Sequence, residues 1–200
     1  MNKALFASVR IPFTQILNKP MKTPFLTHRG AAALAALLIA ASAVAGTAPV
    51  PKVGEKAPLV TGKNQHGKSW KLADAVGKKI VLLYFYPKDD TPGCTKEACG
   101  LRDRMEDFKK DKVEVIGVSF DSAESHLLFI EKHKLNFALL ADTDGKIADA
   151  YGVRLPNGTK AKRVSFLIGL DGKIAHVTDS PQADVHLSEM KAAIEKLKAK

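Results

Sequence analysis

The run Ile80-Val81-Leu82-Leu83-Tyr84-Phe85-Tyr86 is apolar or aromatic at every position and stops at Pro87. A strand with one wet face would show a polar residue at every second position. One without them is buried on both faces, inside a sheet that helices cover on either side. The chain restarts at Thr91, a good N-cap residue, followed by Pro92, which fits a first helical position because its missing N–H costs nothing there. A helix is expected from Pro92 to Lys109. A buried strand feeding a helix through a short polar loop confines the chain to folds with a covered central sheet.

The remaining pattern agrees. Strands are expected at Val113–Phe120, Phe137–Ala141, Val164–Leu170 and Lys173–Thr178, and helices at Ala123–His133, from the Asp142-Thr143-Asp144-Gly145 turn to Tyr151, and at Asp184–Lys198. Asp171-Gly172 reads as a two-residue hairpin turn, and the last helix ends in cations that suit its dipole. Leu59-Val60 and Ser69–Leu72, around Asn64-Gln65-His66-Gly67, form a second hairpin. Thr47–Pro58, with three prolines, reads as a linker. Strands alternating with helices make an α/β or α+β layer sandwich.

Charge separates the front of the chain from the rest. Lys3, Arg10, Lys19, Lys22 and Arg29 precede the 15-residue apolar run Ala31–Ala45, and no acid occurs before Glu55. That run is too short for a span of roughly 20 residues and ends in Ala43-Val44-Ala45, an A-x-A cleavage site. Residues 1–45 are expected to be a secretion signal, with Met21 an alternative start, and 46–200 one exported domain that is free of the membrane after processing. An uncleaved anchor over the charge-free Gly30–Val50 is the rival reading; the stretch is mostly alanine and makes a weak span. The mature part has the composition of an ordinary globular domain, without the clustered cations of a nucleic-acid arm.

Gly62-Lys63-Asn64-Gln65-His66-Gly67-Lys68-Ser69 fits the phosphate-loop pattern G-x(4)-G-K-[ST]. Its context does not, because that loop needs a buried strand before it and a helix after it. Pro58 leaves only three residues for that strand and Gly77 limits a following helix to about two turns, so a hairpin turn is the expected structure.

Cys94 falls at the third residue of the expected helix. N–H groups there lack helical acceptors and the dipole adds partial positive charge, so a thiolate is favoured over a thiol. Asp89 and Asp90 would oppose this if they faced the sulfur, and a cation would then be needed. A second reading stays open, since Cys94, Ala98, Leu101, Met105 and Phe108 form one apolar stripe in which an inert cysteine could be buried. Metal binding by Cys94 and Cys99 is poorly supported: C-x(4)-C lacks zinc-like spacing and no histidine is near in sequence. A copper-binding module using both cysteines and a distant histidine is the alternative to a catalyst. A disulfide oxidoreductase would want C-x-x-C, which is absent.

Pro87, Thr91 and Cys94 fit P-x(3)-T-x(2)-C, and the string YFYPKDDTPGCTKEAC resembles the Q-type peroxiredoxins, also called bacterioferritin comigratory proteins. The similarity runs from about Val53 to the C-terminus and includes Arg163-Val164-Ser165-Phe166-Leu167-Ile168, where that family has an active-site arginine at the start of a strand. The resemblance implies a thioredoxin-like fold with a central mixed sheet. It also implies reduction of hydrogen peroxide and organic hydroperoxides by thiol chemistry, without metal or organic cofactor, in a monomer reset by thioredoxin or a similar dithiol protein. It further implies roles for five residues. Cys94 would be the peroxidatic nucleophile and Cys99 the resolving thiol. Thr91 and Arg163 would orient the peroxide, with Arg163 also offsetting Asp89 and Asp90, and Pro87 would shield the pocket. Five residues along an ideal helix separate two Cα atoms by about 8.7 Å, whereas a disulfide needs about 4.4–6.8 Å. The first turns of the helix, from about Pro92 to Gly100, are therefore expected to unwind in each cycle, helped by Gly93 and Gly100.

Overall fold

The computed structural model describes residues 48–199; the expected leader, 1–45, lies outside them. The chain runs β1 (Thr61–Lys63), β2 (Ser69–Lys71), α1 (Leu72–Ala75), β3 (Ile80–Phe85), α2 (Pro92–Arg102), α3 (Met105–Lys110), β4 (Val113–Ser119), α4 (Ala123–His133), β5 (Ala138–Ala141), α5 (Lys146–Ala150), β6 (Val164–Ile168), β7 (Ile174–Asp179) and α6 (Ala183–Lys198). Five strands form one mixed sheet in the order β5-β4-β3-β6-β7. β3, β4 and β5 are parallel, while β6 pairs antiparallel with β3 and β7 antiparallel with β6. This is the thioredoxin-like α/β fold, with β1 and β2 as a small separate hairpin.

β3 lies at the centre, and its period of two explains why it carries no polar residue. Ile80, Leu82 and Tyr84 enter a core built with α2, α3, α4 and α6, including Leu101, Phe129 and Met190. Val81, Leu83 and Phe85 enter a second core on the opposite face with Leu72, Ile147, Tyr151 and Phe166. All six are buried, each large side chain contributing roughly 1.5–3 kcal/mol on transfer from water.

Several expectations need correction. The helix from Pro92 is not continuous to Lys109: Asp103 and Arg104 form a turn in which Arg104 N–H reaches back to Leu101 O at 3.1 Å, and α3 restarts at Met105. The first hairpin strand is Thr61–Lys63 instead of Leu59-Val60, and Leu59 stands 70% exposed. Asn64 Oδ1 accepts from the N–H groups of His66 and Lys68, both at 3.0 Å, and Gly67 takes a positive φ of 70°. The phosphate-loop letters are thus a hairpin turn. The second strand ends at Lys71, and Leu72 opens the one-turn α1. The β6–β7 connection is five residues, Gly169–Lys173, closed by Gly169 N–H to Lys173 O at 2.9 Å, and is not a two-residue turn. Nor does the proline-rich segment hang free. Gly54 and Ala57 donate to Ile174 O and Gly172 O, while Ala48 donates to Asp149 O.

Candidate active site

Where β3 ends, Tyr86 and Pro87 turn the chain into the loop Lys88–Thr91, and α2 begins. Thr91 occupies the N-cap position without capping by its side chain; its hydroxyl donates to Lys88 O at 3.0 Å. The first bond into the helix is Thr95 N–H to Thr91 O at 2.8 Å, so the N–H groups of Gly93 and Cys94 have no helical acceptor. Cys94 sits on this first turn, 2% exposed and inside the α2 core cluster. It belongs to the apolar stripe, and its sulfur also accepts a hydrogen bond from a charged group.

That charge is Arg163, one residue before β6. Its Nη2 donates to Cys94 Sγ at 3.3 Å, its Nη1 binds Glu97 Oε2, and its Nε donates to Pro181 O at 3.2 Å. A guanidinium therefore lies on the sulfur, which sits over the first turn of α2. Gly93 makes room for the guanidinium, since a Cβ there would stand 3.1 Å from Nη2. Gly100 has a comparable packing role, as a Cβ would meet Leu187 Cδ1 of α6 at 2.4 Å.

Arg163 does not offset Asp89 and Asp90. Asp89 is buried and accepts from Tyr86 Oη at 2.7 Å and Ser125 Oγ at 2.8 Å, while Asp90 binds Lys132 and His133. The carboxyl partner of Arg163 is Glu97, which sequence reasoning missed. Its position, three residues after Cys94 and so on the same helix face, was the available signal.

Glu97 is fully buried and its Oε1 has no hydrogen-bond partner. Burial pushes its pKa up to about 7 against the pull of Arg163. His186 Nδ1 lies 3.5 Å from Oε1, but that ring is engaged elsewhere. Its Nε2 donates to Ser180 O at 2.8 Å, and its Nδ1 meets Ser165 Oγ at 2.7 Å. Burial holds His186 below the usual histidine range, so the neutral ring is favoured. For Arg163, burial lowers the pKa, but Glu97 and Cys94 more than offset it and the guanidinium stays charged.

Pro87, Leu155, Lys162, Arg163, Asp179 and Pro181 line an open cleft of ≈ 350 Å³. Arg163 joins that cleft to the sulfur, so a small molecule entering beside Pro87 meets the guanidinium. Four of the five expected residues, Pro87, Thr91, Cys94 and Arg163, therefore belong to this end of β3, α2 and β6. Cys99 lies farther along α2, partly buried, and both cysteines are free thiols. The helix is intact through both, so they are not at disulfide distance; an ideal helix separates such a pair of Cα atoms by about 8.7 Å. Among the described residues no three His, Cys, Asp or Glu side chains gather as metal ligands.

Comparisons with known proteins converge. Residues 53–177 match the AhpC/TSA family. The chain is 44% identical over 145 residues to the putative peroxiredoxin bcp of Coxiella burnetii, covering 70% of this chain and 95% of that one. Among solved structures, peroxidoxin BcpB of Mycobacterium tuberculosis superposes with a TM-score of 0.69 at 31% identity, over 74% of this chain and 98% of that one. The bacterioferritin comigratory protein of Xanthomonas campestris, described for its alkyl peroxide reduction activity, superposes with a TM-score of 0.63 at 27% identity, over 68% and 90%.

Proposed function

Since the chain belongs to the AhpC/TSA family and is a thiol peroxidase of the Bcp/PrxQ type, we propose that it reduces hydroperoxides at Cys94 through a two-cysteine cycle closed by Cys99. The observation that carries this reading is the guanidinium of Arg163 on the sulfur of Cys94 at the N-terminus of α2. The Cys94 thiolate attacks the peroxide oxygen that bears hydrogen. A new S–O bond forms, the O–O bond breaks, and the alkoxide or hydroxide leaves as alcohol or water after taking a proton. Arg163 stands where charge develops on the leaving oxygen, and its grip on Glu97 and Pro181 keeps it aimed there. Pro87 walls the cleft, whose size accommodates organic hydroperoxides as well as hydrogen peroxide, in keeping with the alkyl peroxide activity of the Xanthomonas relative.

In the second step Cys99 attacks the sulfenic sulfur, an S–S bond forms, and hydroxide leaves as water. Helix geometry forbids this while α2 is intact, so the segment from Pro92 to Gly100 unwinds first. A thioredoxin-type dithiol protein then reduces the bond. The partly exposed Cys99 is suited to such exchange. Residues 1–45 direct export, and the mature protein works as a monomer in the periplasm. The cysteine variants test the cycle: Cys94→Ser abolishes turnover, while Cys99→Ser still permits one oxidation of Cys94. A reversed pattern would reassign the two roles.

A further inference from the structure

The loop before α2 is held by a different part of the molecule from the helix that follows it. Asp89, 6% exposed, has three side-chain partners: Tyr86 Oη at 2.7 Å, Ser125 Oγ at 2.8 Å and His126 Nδ1 at 2.8 Å. Its own N–H donates to Asp121 Oδ2 at 2.9 Å, and that carboxylate also accepts from Ser119 Oγ at 2.7 Å. His126, wholly buried, donates through Nε2 to Leu140 O at 3.2 Å, which ties the cage to β5. A carbonyl can only accept, so the ring orientation is determined on that side.

Asp90 is anchored separately. It takes a positive φ of 56°, a conformation that aspartate tolerates better than most residues, and binds Lys132 Nζ at 2.5 Å and His133 Nε2 at 2.7 Å. Ser125 and His126 lie in the first turn of α4, Lys132 and His133 in its last. The loop is thus fastened to both ends of α4, whereas α2 packs mainly on α6. Neither Asp89 nor His126 touches the sulfur, and the reaction scheme above uses neither.

We propose that Asp89 and His126 are positioning residues that pin the Pro87–Thr91 loop to α4, so that Pro87 and Thr91 keep their places while α2 unwinds and Thr91 becomes the hinge. Attack on peroxide needs both loop and helix in place; resolution needs only the helix to leave. A loop that stayed behind would let the pocket re-form as soon as α2 rewinds. The hinge clause rests on the two-cysteine reading; the positioning clause does not.

The test separates two rates in the full protein: the second-order oxidation of Cys94 by peroxide and the first-order formation of the disulfide. His126→Leu removes both ring bonds and is expected to slow oxidation about tenfold or more, with disulfide formation changed less than threefold. His126→Asn, whose amide can hydrogen-bond Asp89, is expected to recover most of the lost rate, a rescue that a merely structural role would not produce. Should His126→Leu not fold, Ser125→Ala asks the same question with a smaller change, and a loss of about threefold is expected. Amide exchange of Asp89 in oxidised protein should stay protected while Cys94–Gly100 loses protection. Oxidation within twofold of the unaltered rate in the folded variant overturns the proposal, as does an Asp89 amide that opens together with α2. Absence of any Cys94–Cys99 disulfide would instead overturn the two-cysteine reading and leave the oxidation rates to judge the positioning role.

Discussion

Glu97 makes the stability of α2 depend on pH, in a direction opposite to that of most carboxylates. In the folded helix burial raises its pKa to about 7, against 4.5 when exposed. The folded helix therefore holds a proton that the unwound helix releases, and ionisation penalises folding. The penalty is absent below about pH 4.5, grows as pH rises towards 7 and is complete above that. At 1.36 kcal/mol per unit, the interval between the two values amounts to about 3 kcal/mol, or on the order of 10²-fold in the opening equilibrium. Because Glu97 lies between the two cysteines, this opening is the one that the proposed resolution step would use. The assay is amide exchange of Ala98 and Cys99 in a Cys94→Ser background, where thiol titration at the site plays no part. Protection at pH 5 and pH 8, each divided by the intrinsic chemical rate, should fall on the order of 10²-fold with rising pH. Glu97→Gln should flatten that dependence. Equal protection at both pH values in the parent, or protection that rises with pH, would refute the reasoning.

Other expectations follow from the same geometry. Arg163→Ala should slow oxidation of Cys94 by roughly 10²-fold or more, the scale for losing one charge-stabilising donor; rapid mixing with peroxide checks it, and an unchanged rate would remove Arg163 from the reaction. Gly100→Ala drives a methyl to 2.4 Å from Leu187 Cδ1 and should cost about 1–3 kcal/mol by overpacking, read as a lowered midpoint in denaturant. If residues 1–45 are a cleaved leader, intact mass of exported protein should show a chain starting near Gly46, whereas an anchor would leave 21–45 attached in the membrane fraction.

The elements most legible in the sequence were those whose burial is total or strictly periodic. β3 announces itself by lacking any polar residue, and α4 begins at Ala123 after a serine whose hydroxyl accepts the N–H of Ser125 at 3.2 Å. Cys94, Thr91, Pro87 and Arg163 were legible through one dense motif and one strand-start arginine. The polar core was hidden. A glutamate or histidine in a helix reads as a solvated face, and only tertiary contacts show that Glu97, His126 and His186 point inward. The turn at Asp103–Arg104 was hidden for a similar reason, because Met105 and Phe108 continue the apolar spacing across it. Gly93 and Gly100 read as loosening residues from sequence alone, whereas each is a place where a neighbouring side chain needs the space.

In the proposed cycle α2 is intact when Cys94 meets peroxide and open when Cys99 reaches it. Peptide-resolved amide exchange of reduced protein, and of protein oxidised by one equivalent of peroxide, measures both states directly. Faster exchange across Cys94–Gly100 in the oxidised form, with the Cys94–Cys99 bond present in the same sample by mass spectrometry, is the expected result. Equal protection of that segment in both forms, with the bond confirmed, would contradict it.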